Sequence, residues 1–216
     1  MNPVPRLDVP TAIRLGKPLV FLLCLGPLLI LMGRIAGNGL GPNPVEAVVH
    51  FTGLWALRLV LATLAVTPLR RLTGLPWLVR FRRMLGLFAF FYAVLHFTAY
   101  LVLDRALVWD EVLKDLTERP YILLGFAALV LLLPLAVTST RGWMRRLGRW
   151  WQPLHRLVYG IAVLGVLHFL WLVKADLREP LLYAVLLAAL LAARLPWRWP
   201  VRGRQGAASA PLSMRR

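Results

Sequence analysis

Residues 155–174, HRLVYGIAVLGVLHFLWLVK, form an apolar run of bilayer length with a histidine at its start, His155, and another, His168, further along it. A hydrocarbon core about 30 Å thick needs roughly 20 apolar residues at helical rise, so the run reads as a membrane-spanning helix. Ligating or ionisable side chains are expensive in hydrocarbon and mark functional positions there. The chain has only 4 histidines, and a third, His96, lies in another apolar run. That pattern points to a metal centre held between helices, and among such centres to haem.

Runs of this kind recur at 18–33, 45–66, 84–103, 121–138, 155–173 and 180–195. With 59% hydrophobic and 16% charged residues and a mean hydropathy of +0.68, the chain is too apolar for a soluble domain of its length. An all-α integral membrane protein is expected, a six-helix transmembrane bundle. A formal charge of +17 would direct attention to nucleic acid in a soluble protein. Here the position of the arginines matters instead, and no nucleic-acid partner is expected. With the N-terminus inside, 18 basic residues fall on inner segments, among them Arg83, Arg146 and Arg216, and 6 on outer ones. That asymmetry predicts both termini cytoplasmic. Eight of the nine acids lie at or beyond the outer ends of the runs.

The expected organisation is an inner N-terminal segment, 1–17, a six-span domain, 18–195, and a basic disordered tail, 196–216. Arg14 and Lys17 precede the first run like a signal peptide, but no small-x-small cleavage site follows Met32, so a retained helix is expected, kinked at Gly26-Pro27. The only cysteine, Cys24, excludes a disulfide, a multi-cysteine zinc site and covalent Cys-x-x-Cys-His haem attachment.

The third and fifth runs point the same way across the bilayer. His96 lies 13 residues beyond Arg83, and His168 lies 13 beyond His155. Both therefore sit roughly 20 Å from the inner side, at matched depth, and can take opposite faces of one iron. Two imidazoles make a six-coordinate b haem without an open site, which suits electron transfer. His155 is left near the inner surface with Arg83 at its depth, to ligate a second haem, contact a flavin or reach the interface. Thirteen residues leave His155 and His168 about 140° apart on an ideal helix, so they share a face only if the helix departs from ideality. Arg58, near the middle of the second run, needs an anion or a cavity: a haem propionate, a flavin phosphate, a quinone carbonyl or a neighbour's backbone carbonyls. His50 lies near an interface. The basic segments 67–83 and 139–153 read as contacts for membrane lipid phosphate, the second as an interfacial helix that an electron donor or flavin phosphate could also use. Residues 104–120 read as an outer amphipathic helix, either interfacial or a docking face.

The segments RRMLGLFAFFYAVLHF, RPYILLG, LLPLAVTST, WWQPLHRLVYGIAVLGVLHFLWLVK and HFTGLWALRLVLATLAVTPLRRL closely resemble the MsrQ (formerly YedZ) family, in the ferric reductase-like transmembrane group. The resemblance covers about 40–195. It implies a haem-binding subunit of the periplasmic methionine sulfoxide reductase system in the bacterial inner membrane, with haem ligands among His96, His155 and His168. It also implies electrons drawn from the quinone pool or a cytosolic flavin reductase and delivered to MsrP, a periplasmic molybdopterin enzyme that repairs oxidised methionines. FMN binding has been described for members. Relatives in the wider group carry two histidines on each of two helices, whereas this chain has His96 alone on its third run. No dinucleotide fingerprint or soluble NADPH-binding domain occurs, so reducing equivalents must come from outside. Competing readings are a stand-alone ferric or quinone reductase, and a haem-free transporter or assembly factor.

Overall fold

The computed structural model describes residues 9–173 and 176–194, all helix and connections with no strand among them. The basic tail, Lys174 and the first eight residues lie outside the described residues. In chain order the helices are α1 (Val9–Ala36), α2 (Pro44–Thr73), α3 (Arg82–Ala99), α4 (Trp109–Glu118), α5 (Pro120–Val137), α6 (Arg141–Leu147), α7 (Trp151–His155), α8 (Leu157–Leu172) and α9 (Arg178–Ala192). Five helical stretches are long and apolar enough to cross a membrane: 13–36, 44–73, 76–104, 120–137 and 141–172. The last expected span corresponds to α9, which at 15 residues is shorter than a bilayer core requires. The chain is a multi-pass membrane protein. Its outward side chains, such as Leu22, Leu29, Leu133 and Val185, are apolar because lipid, not water, is their solvent.

α2 packs mainly on α3, and α5 on α8, and the core between these pairs holds Leu57, Leu64, Ile161, Ala162 and Val166. α1 is more peripheral and is pinned at its proline. The fully buried Tyr92 hydroxyl accepts from the Leu28 N–H (3.0 Å) and donates to the Cys24 carbonyl (2.9 Å). It thus inserts between the two groups that would bond each other in a regular helix, beside Pro27.

Two departures from regular helix position the chemistry. α3 passes into a π turn at Tyr100–Asp104, where the Arg105 N–H reaches the Tyr100 carbonyl at 3.0 Å. Ala106 (φ 48°) and Leu107 (φ 62°) then take left-handed conformations that side chains disfavour, reversing the chain into α4. The fifth run is also interrupted. α7 ends at His155 and α8 starts at Leu157, with the Arg156 N–H shared between the Gln152 and Pro153 carbonyls, 3.1 Å each. The expected interfacial helix at 139–153 is divided among α6, a 3₁₀ turn at Gly148–Trp150 and α7. In α4 the buried face is Val112 and Asp115, while Trp109 and Leu113 point outward.

A paired-histidine cavity as the candidate functional site

His96 comes from the C-terminal half of α3 and His168 from the C-terminal half of α8. Their ring centroids are 6.2 Å apart and the rings are crossed at 77°. Each imidazole is held the same way. His96 Nδ1 lies 2.8 Å from the Val49 carbonyl of α2, and His168 Nδ1 lies 2.6 Å from the Tyr121 carbonyl at the start of α5. A carbonyl only accepts, so both Nδ1 atoms carry the proton and both Nε2 atoms keep their lone pairs. That backbone tether orients an imidazole for ligation and raises its basicity.

Glycine makes room for both rings. A β-carbon at Gly53 would stand 2.9 Å from His96 Cε1, and one at Gly125 would stand 2.8 Å from His168 Nδ1. The histidines line a cavity of about 260 Å³ whose other walls are largely apolar, including Leu54, Leu57, Ala93, Phe97 and Leu129. His50 lines it too, exposed and packed 5.8 Å from the Phe169 ring. The mouth is polar: Tyr100, Asp104, Arg105, Arg119 and Tyr121.

A second cavity, about 450 Å³, continues toward the other end of the bundle, and the two share Val60 and Leu132. His155, Arg82, Arg83, Arg156, Trp151 and Tyr159 line it, and among the described residues no carboxylate does. His155 is occupied differently from the paired histidines. Its Nε2 lies 3.2 Å from Thr138 Oγ1, which already donates to the Pro134 carbonyl, and Trp151 stacks at 4.0 Å. Nε2 is therefore the donor, and only Nδ1 keeps a lone pair. No histidine faces His155 across this cavity.

Arg58 lies outside both cavities. Its Nε donates to the Tyr183 hydroxyl at 2.7 Å, Glu179 lies at 3.6 Å, and the guanidinium rests on Trp55. Its anion is thus a carboxylate of α9. Arg146 covers Trp143 rather than lining the second cavity. Of the five candidates, the structure brings His96 and His168 together, puts His155 and Arg83 at a separate site, and leaves Arg58 apart.

The sequence reading missed the carbonyl tethers, the two glycine cradles and the arginine-rich mouth. Only the glycines carried a signal, since glycine inside a bilayer helix marks close approach.

Comparison with known proteins supplies the lineage. The family described as ferric reductase like transmembrane component matches residues 52–166, more than half of the chain. A protein from Xanthomonas oryzae is 50% identical over 207 residues, covering 93% of this chain and 95% of its own. One from Ralstonia nicotianae is 50% identical over 208 residues (94% and 95%), and one from Xanthomonas campestris 56% over 174 (81% and 80%). All three carry the name protein-methionine-sulfoxide reductase heme-binding subunit MsrQ. This chain belongs to the MsrQ family. No solved structure matches it. Within MsrQ terms the matched segment runs from the second span into α8 and includes His96 and His155 but stops just before His168.

Proposed function

We propose that this chain is the haem-binding membrane subunit of a methionine sulfoxide-reducing system, carrying electrons across the bacterial inner membrane to a periplasmic molybdopterin reductase of the MsrP kind. The observation that carries the reading is the pair His96 and His168, tethered through Nδ1 and separated by 6.2 Å between centroids. An iron held by two imidazole nitrogens at about 2 Å each, with about 1.1 Å from nitrogen to ring centre, would separate the centroids by roughly 6.3 Å. The residues present therefore fit a bis-histidine b haem. When bound there, that group supplies reversible one-electron chemistry with both axial positions filled, which favours electron transfer over oxygen binding.

The rest of the work falls to the chain. Val49 and Tyr121 hold the ligands in one tautomer, Gly53 and Gly125 admit the rings, and the apolar walls exclude water. The unneutralised inner cavity suits an anionic electron donor: Arg82, Arg83 and Arg156 offer charge, and Trp151 offers a stacking face. A flavin phosphate such as FMN, or a quinone reached from the membrane, would meet these groups. The charge asymmetry supports six spans with both termini and the inner cavity on the cytoplasmic side.

The test is a reduced-minus-oxidised spectrum of detergent-solubilised protein, with pyridine haemochrome quantification and ferric electron paramagnetic resonance. The wild type should show a low-spin b haem with the strongly anisotropic signal of crossed imidazole planes. His96→Ala and His168→Ala should each abolish that signal and electron delivery to the periplasmic reductase. Normal spectra in both variants would sink the ligand assignment.

A further inference from the structure

The mouth of the paired-histidine cavity is a built charge cluster. Asp115, only 5% exposed, takes Arg105 Nε at 2.7 Å, Arg119 Nε at 3.1 Å and the Tyr100 hydroxyl at 2.8 Å. Asp104 and Glu111 approach Arg105 only at 3.5 and 3.6 Å and are far more exposed. Two guanidiniums thus share the buried Asp115 carboxylate, Arg105 with its side chain 19% exposed and Arg119 with its side chain 46% exposed. Among the described residues, Arg105 and Arg119 are the cationic side chains that line the cavity, with Asp104 lining it beside them, and Asp115 stands behind. Each guanidinium has five N–H donors; Asp115 meets both as ion pairs, Arg105 Nε is left without a hydrogen-bond partner and Arg119 donates from Nη1 to the Tyr121 hydroxyl at 3.4 Å, so donors remain on both.

We propose that Arg105 and Arg119 are the carboxylate anchor of this cavity: they bind the two propionates of the haem and fix it with its anionic edge toward the α3–α4 end. Asp115 is the positioning residue that holds both arginines in place. The inference rests on the haem reading above, and the chemistry is specific. A haem seated between His96 and His168 has an apolar macrocycle that suits the walls and two carboxylates that these walls cannot satisfy. Arginine pairs bidentately with a carboxylate, a fixed fork geometry that a lysine ammonium does not offer. The π turn and the two left-handed residues after Arg105 deliver its side chain to this mouth. Where the fold departs most from regular helix, it serves the anchor.

The experiment compares full-length wild type with Arg105→Gln/Arg119→Gln and Arg105→Lys/Arg119→Lys proteins in detergent. Haem loss is timed by transfer to apomyoglobin, in parallel with proteins loaded with haem dimethyl ester, whose propionates are neutral. The glutamine double variant should lose haem roughly tenfold faster or more, the value of one charged hydrogen bond, with its bis-histidine spectrum intact. The lysine variant should recover part of the difference. The dimethyl ester should leave wild type and glutamine variant at the same rate, and the midpoint potential should fall in the glutamine variant because cationic charge near the iron favours its reduced form. Asp115→Asn should show the same defect in milder form. Equal haem loss from wild type and glutamine variant overturns the anchor, as does a glutamine variant that sheds haem and ester equally fast. A wild type without haem overturns the functional reading itself.

Discussion

His96 and His168 differ from His155 in one respect that decides what each can do: where the ring's own proton goes. Backbone carbonyls take the Nδ1 protons of the first two and leave Nε2 for coordination. Thr138 takes the Nε2 proton of the third. The glycines opposite are as specific. Alanine at Gly53 or Gly125 would place a methyl group within 3 Å of a ring that cannot swing away without losing its carbonyl. Gly53→Ala and Gly125→Ala should therefore lower haem occupancy about tenfold or displace the low-spin signal, a cost near that of one strained or lost hydrogen bond. Gly160→Ala is the control, because nothing stands within 4 Å of its β-carbon. Equal haem content and identical spectra in all three proteins would refute the cradle. Of these residue-scale features, the histidines were legible because they are rare and costly in apolar runs; their tethers are backbone atoms and leave no mark in a sequence.

Among the helices, irregularity recurs where function is proposed. The stretch 141–172, interrupted by a turn at Arg156, presents a histidine to each of two stacked cavities. The π turn ending α3 carries Tyr100 and Arg105 to the mouth of one of them. Elsewhere the helices are held by few, specific polar contacts, since packing in lipid lacks a hydrophobic drive. Tyr92 is the clearest case. Tyr92→Phe would remove both bonds by which α3 holds the Cys24 carbonyl and the Leu28 N–H of α1. A destabilisation of about 2 kcal/mol is expected, read as a lower thermal midpoint in detergent and faster proteolysis of α1, with the haem spectrum retained. An unchanged midpoint would show that α1 is held by packing alone.

At the scale of the molecule, two cavities of unlike chemistry are stacked along one bundle. One is apolar with paired imidazoles and an arginine mouth. The other is cationic, with no carboxylate in its lining among the described residues. That polarity defines a direction for electrons once the topology is known. A C-terminal alkaline phosphatase fusion should be inactive and a fluorescent-protein fusion bright, the pattern of a cytoplasmic C-terminus. The opposite pattern would exchange donor and acceptor sides. With that orientation, Arg83→Gln/Arg156→Gln should slow reduction by the physiological donor about tenfold, leaving dithionite reduction and the haem spectrum unchanged, because the lost charges face only the inner cavity. Equal slowing by both reductants would make these arginines structural.

The sequence by itself determined the solvent of this protein and the residues worth watching. Bilayer length, helical rise and the cost of charge in hydrocarbon are local and additive, so apolar runs, the basic asymmetry and the rarity of His96 and His168 could be read one segment at a time. Matched depth also followed, because rise per residue is constant. What only the tertiary structure decided was azimuth and partnership: which way each side chain points around its helix, and what meets it there. Arg58 needed an anion by sequence logic, and packing supplied Glu179 in place of a cofactor. Asp115, Arg105 and Arg119 read as ordinary outer-loop charges, yet a π turn and a chain reversal gather them at the cavity mouth. Such juxtapositions depend on helix breaks of a few residues and on backbone carbonyls of other helices, neither of which is encoded in the periodicity of the segment that carries the side chain.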